Sequence, residues 1–200
     1  MSQLIFKFPF RTRYFKEDYY VSSNNFSAYK LIEGWPNWPD RWVNIFGPSG
    51  SGKSHLSKIL EKKIGDVKFL NAKDVTNDLL PDLEILKCVI IDNYNQNIDE
   101  NLFYTILNHS KQLNTFIVIN SLIPIKDMKL NLVDLKSRVG SFIDIGMEMP
   151  TDELLRVIIS KSFSDKQIIV SPKVSEYIIK NINKIYRKIT KFIKKIDDLS

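Results

Sequence analysis

Apolar runs of strand type alternate with stretches of helical periodicity through the first three quarters of the chain. Val43-Asn44-Ile45-Phe46 predicts a strand that leads into a glycine-rich loop, and Ser54 to Lys63 has the spacing of a helix. Val67-Lys68-Phe69-Leu70 predicts a second strand, and Cys88-Val89-Ile90-Ile91 a third that ends at Asp92. A helix over Leu102 to Gln112 follows, with Asp99 placed to cap it. Thr115-Phe116-Ile117-Val118-Ile119 predicts a fourth strand, closing in Asn120-Ser121, and Phe142-Ile143-Asp144-Ile145 a fifth. Strands alternating with helices imply right-handed βαβ units and a mostly parallel sheet covered on both faces. Before this pattern the opening stretch is aromatic and basic, and Trp35-Pro36-Asn37-Trp38-Pro39 marks an irregular turn.

From Thr151 onward the pattern is helical only. Thr151 can cap a helix whose positive end suits Asp152 and Glu153, and Ser171-Pro172 opens another with proline at its first position. The last helix aligns Ile182, Ile185, Tyr186, Ile189, Phe192, Ile193 and Ile196 on one stripe, with lysines and Arg187 on the other face. A helix packed on a small bundle accounts for that stripe; a helix lying on a membrane surface is the competing reading. The organisation expected is an α/β subdomain over 14–150 and a small helical subdomain over 151–200, with 1–13 a separate tail.

Composition narrows the class without naming a function. At 200 residues, with 44% hydrophobic and 26% charged positions, the chain has material for one core and a small appended unit, unlike a disordered or fibrous protein. Cys88 is the sole cysteine, so no disulfide can form within the chain, and its apolar neighbours make it a buried core residue rather than a reactive thiol. No run reaches the roughly 18 apolar residues that span a bilayer. The N-terminus lacks the apolar core and cleavage site of a secretory signal, so a cytoplasmic protein without a membrane partner is expected. The formal charge of +6 permits contact with nucleic acid or acidic protein surfaces, and also suits ordinary solvated faces.

The chemistry sits in Gly47-Pro48-Ser49-Gly50-Ser51-Gly52-Lys53-Ser54, which matches G-x-x-x-x-G-K-[ST] at every position between a strand and a helix. Glycines let such a loop wrap phosphate oxygens with backbone N–H groups, and the helix that follows turns its positive end to the same anion. Lys53 supplies a charge to the β- and γ-phosphates of a purine nucleotide, and the Ser54 hydroxyl can ligate Mg²⁺. Asp92, at the end of an apolar strand, can hold the same ion through water. Asn93 follows where many such ATPases carry a carboxylate; an amide cannot act as a base, so slow intrinsic hydrolysis is expected. Asn120 is placed either to face the γ-phosphate or simply to cap its strand.

The loop, Ile91-Asp92-Asn93, Asn120-Ser121, Leu135-Lys136-Ser137-Arg138 and a helical tail occur in that order. Together they resemble the AAA+ module of the replication initiator DnaA, and more narrowly its short homologues of the Hda type, which act in regulatory inactivation of DnaA. The resemblance covers about residues 14–200 and implies a P-loop AAA+ fold, with a parallel five-stranded sheet, flanking helices and a small helical lid. It implies that Tyr20 and Val21 contact the adenine of ADP or ATP, that the His55-Leu56 pair is part of the loop motif with His55 structural, and that Arg187 is a lid arginine facing the nucleotide. It implies that Arg138 is an arginine finger reaching a neighbouring subunit's nucleotide, the form of charge stabilisation a guanidinium supplies in trans. Gln3-Leu4-Ile5-Phe6-Lys7-Phe8 resembles the peptide with which Hda-type proteins dock on the DNA polymerase III beta sliding clamp. Gln3, Leu4, Phe6 and Phe8 would be the anchors; Phe6 departs from the leucine usual there, and a hydrophobic tail is the alternative. With Ser200 falling just after the lid, a DNA-reading domain like the initiator's is not expected.

The resemblance therefore implies a regulator of replication initiation that binds adenine nucleotide and Mg²⁺, docks on the DNA-loaded clamp and stimulates hydrolysis of ATP held by DnaA, with homo-oligomers open. The alternative is a DNA-binding AAA+ ATPase of helicase-loader or initiator type, supported by the basic balance. A small-molecule kinase would need an arginine-bearing substrate lid between strands, of which there is little sign.

Overall fold

A computed structural model of the chain describes residues 19–164, 169 and 171–181. Five strands, β1 (Trp42–Phe46), β2 (Val67–Asn71), β3 (Cys88–Tyr94), β4 (Phe116–Ser121) and β5 (Ile143–Gly146), pair in parallel in the order β2-β3-β4-β1-β5. Among the described residues seven helices accompany them: α1 (Phe26–Glu33), α2 (Lys53–Ile64), α3 (Leu79–Asp82), α4 (Glu100–Leu113), α5 (Val133–Val139), α6 (Asp152–Ser164) and α7 (Pro172–Asn181). The order places β1 between β4 and β5, so the loop after β1 emerges next to the end of β4, with β3 one strand further on.

The pleat divides the core into two layers. Val43, Ile45, Cys88, Ile90 and Val118 pack with Leu56 and Leu60 of α2 and with Ala28 and Ile32 of α1. Trp42, Val89, Ile91, Ile117 and Ile119 pack on the opposite face with Phe103, Ile106 and Leu107 of α4 and with Leu135 and Val139 of α5. Those three α4 side chains are fully buried and each stabilises the fold by roughly 2 kcal/mol. Continuing the alternation past Ile91 and Ile119 carries Asp92 and Asn120 to the α2 face. Asn44 and Ser121 go to the other.

Local expectations hold at several ends. The Asp99 carboxylate accepts from the Asn101 and Leu102 amides, each at 3.0 Å, and caps α4. Thr151 Oγ1 accepts from Leu154 N at 3.2 Å, and α7 begins at Pro172. Cys88 is buried, and burial pushes its thiol well above the usual range. No described helix is long and apolar enough to cross a membrane. The amphipathic stripe from Ile182 to Ile196 lies outside the described residues.

The structure corrects the third strand. β3 runs two residues past Asp92, to Tyr94, and its register against β4 breaks between Ile91 and Tyr94. Asn93 takes a left-handed conformation (φ 60°), which steps the strand outward, and Tyr94 returns to the interior against Phe103 at 5.1 Å. α1 and α5 were not anticipated either. Each is held by polar contacts invisible to periodicity. Asn25 accepts from Ser22 N at 2.8 Å and donates to Tyr20 O at 2.9 Å ahead of α1. The Glu100 carboxylate accepts from the Asn131 and Leu132 amides ahead of α5.

Asn44 is fully buried in β1. Its amide donates to Ile119 O (3.0 Å) and Ser121 Oγ (2.8 Å), and its oxygen accepts from Ile125 N (3.0 Å), so it anchors the chain leaving β4. Removing it leaves buried groups without partners. Asn44→Ala is expected to cost about 3 kcal/mol in urea unfolding, at roughly one kcal/mol for each lost bond; an unchanged midpoint would contradict this.

Candidate nucleotide-binding site

Backbone geometry explains why the loop after β1 needs its first glycine. Gly47 N donates to Ser121 O at 3.2 Å while β5 passes close by, with Met147 N donating to Phe46 O at 2.8 Å. A Cβ on Gly47 would lie 2.1 Å from the Met147 carbonyl oxygen, at φ 149°. Gly52 adopts a left-handed conformation (φ 102°) as it hands the loop to α2, which starts at Lys53. The loop thereby sits at the positive end of a twelve-residue helix. The Lys53 ammonium donates to Gly47 O at 2.6 Å and to Pro48 O at 2.9 Å, which holds it over the loop. Burial draws the Lys53 pKa below the ordinary lysine value, and the Asp92 charge partly restores it.

Two strand ends and one helix meet beneath the loop. Ser54 Oγ donates to the Asp92 carboxylate, at 3.0 Å from Oδ1 and 2.8 Å from Oδ2. Asn120 Nδ2 donates to Asp92 Oδ1 at 2.9 Å and to Ser57 Oγ at 2.9 Å, and Asn120 is itself fully buried. Asn93 Nδ2 lies 3.4 Å from Asp92 Oδ2. Asn120 thus supports and aims the carboxylate from below. Ser57, one helical turn beyond Lys53, completes the support; its spacing from Ser54 (i, i+3) was the available signal.

Among the described residues no three His, Cys, Asp or Glu side chains group together as a metal cage. Ser54 and Asp92 present a hydroxyl and a carboxylate side by side. This hard-oxygen pair fits Mg²⁺, which keeps several waters and takes phosphate oxygens as further ligands.

A small cavity opens on the other side of the loop. It is lined by Tyr19, Tyr20, Gly50, Ser51 and His55 and closed by Pro150, Leu154 and Ile158. The Tyr19 ring stacks on Tyr29 (centroids 5.9 Å apart) and meets the His55 ring edge-on at 5.2 Å. Burial raises the Tyr19 pKa above the usual phenol value. His55 is thus a packed residue of α2. Tyr20 lines the cavity, whereas Val21 is 41% exposed and is not part of its wall. Tyr19 takes the inner place instead, a neighbour that periodicity could not distinguish.

The structure gathers Gly47 to Ser54, Asp92, Asn120, Tyr20 and His55 in one region. Arg138 is elsewhere, half-buried on α5, and its guanidinium makes no hydrogen bond or ion pair among the described residues. Arg187, Gln3, Leu4, Phe6 and Phe8 lie outside the described residues.

No protein-family model matches the sequence, and no curated protein does. Solved structures do. Replication initiator DnaA bound to AMPPCP and single-stranded DNA aligns with a TM-score of 0.76 at 21% identity, over 94% of this chain and 65% of that one. Domain III of Thermotoga maritima DnaA aligns with a TM-score of 0.75 at 20% identity, over 91% of this chain and 86% of that one. The RuvB Holliday junction branch migration motor of Thermotoga maritima aligns with a TM-score of 0.61 at 21% identity, over 79% and 54%. The chain shares the fold of these DnaA and RuvB structures. The chain spans less than two thirds of the length of the first of these structures.

Because the Gly47 Cβ position is filled by the Met147 backbone, directly after β5, Gly47→Ala must displace either the loop or that segment. It is expected to lower stability by about 2 kcal/mol, the scale of local backbone strain. Thermal unfolding checks this; a wild-type midpoint would mean that the loop is free of β5.

Proposed function

We propose that this chain is a regulatory AAA+ protein of DNA replication initiation that holds adenine nucleotide with Mg²⁺ and acts on ATP bound by a partner, DnaA. The observation that carries the reading is the hydrogen-bonded surround of Asp92. Ser54, Asn120 and Asn93 all direct donors at that one carboxylate, and the next residue is an amide in a left-handed turn. Such a site grips a nucleotide and places no base beside it. Ser54 and Asp92 would hold Mg²⁺, which would supply screening of the phosphate charge there. Lys53 leaves the Gly47 and Pro48 carbonyls for the phosphates, the loop amides cradle them, and Tyr20 with the α6 residues covers the base.

Arg138 supports the second half of the proposal. It is an arginine uncommitted to any acid among the described residues, on a short helix that supplies none of the contacts made by the loop. A guanidinium in that state is available to a neighbouring nucleotide. Gln3, Leu4, Phe6 and Phe8 would bring the protein to the sliding clamp, and Arg187 would meet the nucleotide from the lid. In this reading the bound nucleotide shapes the protein, and hydrolysis takes place in the partner's site.

A DNA-binding AAA+ ATPase is the second reading. It draws on the DnaA structure bound to single-stranded DNA and on the charge of +6. Single-stranded DNA binding that weakens steeply with salt, together with vigorous turnover by the chain alone, would favour it.

Turnover separates the two. The chain alone is expected to release little phosphate and to accelerate hydrolysis when DnaA, clamp and DNA are added. Arg138→Ala is expected to reduce that acceleration by roughly a thousandfold, the scale of an arginine finger; undiminished acceleration would remove the trans role. Asn93→Glu, which restores a base, is expected to raise intrinsic turnover by roughly a hundredfold. No rise would mean that more than the missing base keeps the site slow.

A further inference from the structure

Two side chains on the segment that follows Asp92 reach across to the segment that precedes Arg138. Gln96 Nε2 donates to Lys129 O. The Glu100 carboxylate accepts from Asn131 N at 3.0 and 2.9 Å, from Leu132 N at 2.6 Å and from Asn131 Nδ2 at 3.4 Å. α5 has no side-chain cap of its own at Leu132, so Glu100, from the first turn of α4, provides the polar anchor for its start. The backbone carrying these groups is specified unusually tightly: Asn93 and Gln96 both hold left-handed conformations at φ 60° and 66°. Beneath the tie, Tyr94, Phe103, Leu130, Leu135 and Val139 belong to one buried cluster. The backbone that leaves Asp92 is therefore joined to α5 by both packing, from Tyr94 onward, and the hydrogen bonds of Gln96 and Glu100.

We propose that Glu100, with Gln96, is a positioning residue that sets the pose of α5, and so of Arg138, from the state of the nucleotide site at Asp92. This rests on the reading of Gly47–Ser54 and Asp92 as a nucleotide site. A ligand drawing Asp92 away from Asn93 shifts the turn at 93–96, and the turn pulls on 129–132 through Gln96 and Glu100. Packing alone would keep α5 near the core; the two polar ties fix its angle.

The test is amide exchange across residues 133–139, with and without AMPPCP plus Mg²⁺, alongside direct titration of the same ligand. In the wild type, ligand is expected to slow exchange in α5 by about threefold or more. In Glu100→Ala that response disappears while ligand affinity stays within about twofold, since Glu100 touches neither loop nor Asp92. Glu100→Gln keeps an acceptor oxygen and is expected to retain part of the response, which separates loss of the tie from loss of the fold. Gln96→Ala is expected to weaken the response in the same direction. A wild-type α5 that ignores bound ligand, or a Glu100→Ala protein that still responds, would overturn the proposal with the nucleotide reading intact. Failure of the wild type to bind the ligand at all would overturn both.

Discussion

Everything in the site depends on one carboxylate being held in place. Asp92 is nearly buried at the end of a hydrophobic strand, where an unsupported charge would be costly. Ser54 from α2, Asn120 from β4 and Asn93 from its own turn all donate to it. Those donors come from three elements, so the carboxylate also reports whether the elements are in register. The sheet order puts β3 beside β4 and β4 beside β1, which brings the loop, the acid and the supporting amide together.

The second constraint is the close passage of β5 behind the loop. Gly47 has no room for a side chain because the Met147 carbonyl occupies it. The edge strand therefore presses the loop into its curve, and the chain leaving that strand runs through Met149 and Pro150 into α6. Asn24 donates to Met149 O at 2.7 Å, so the segment before α1 is stitched to the same turn. Loop, N-terminal segment and α6 share one small volume, which is where the cavity lies.

What could be read from the chain in advance was whatever is local. The loop is a contiguous octet whose spacing states its own chemistry, and Asp92 follows an apolar run that can only be a strand. The five strands and the caps at Asp99 and Thr151 are likewise neighbour effects. What escaped depends on partners far apart in the chain. Ser57 matters only because β4 places Asn120 beside it, 63 residues on. Glu100 gains meaning from Asn131, 31 residues later. β3 runs on past Asp92 because a left-handed asparagine can interrupt a strand's register without ending it. Tyr19, rather than Val21, faces the cavity because Asn25 fixes the backbone between them.

The central claim is that this architecture grips a nucleotide without spending it. Calorimetric titration of ATP and ADP, with and without Mg²⁺, tests it most directly when free phosphate is followed in the same samples. The account predicts one saturable site per chain, tighter binding of ATP with Mg²⁺ than without, and phosphate release that stays near background. Absence of saturable binding, or rapid phosphate release by the chain alone, would contradict it.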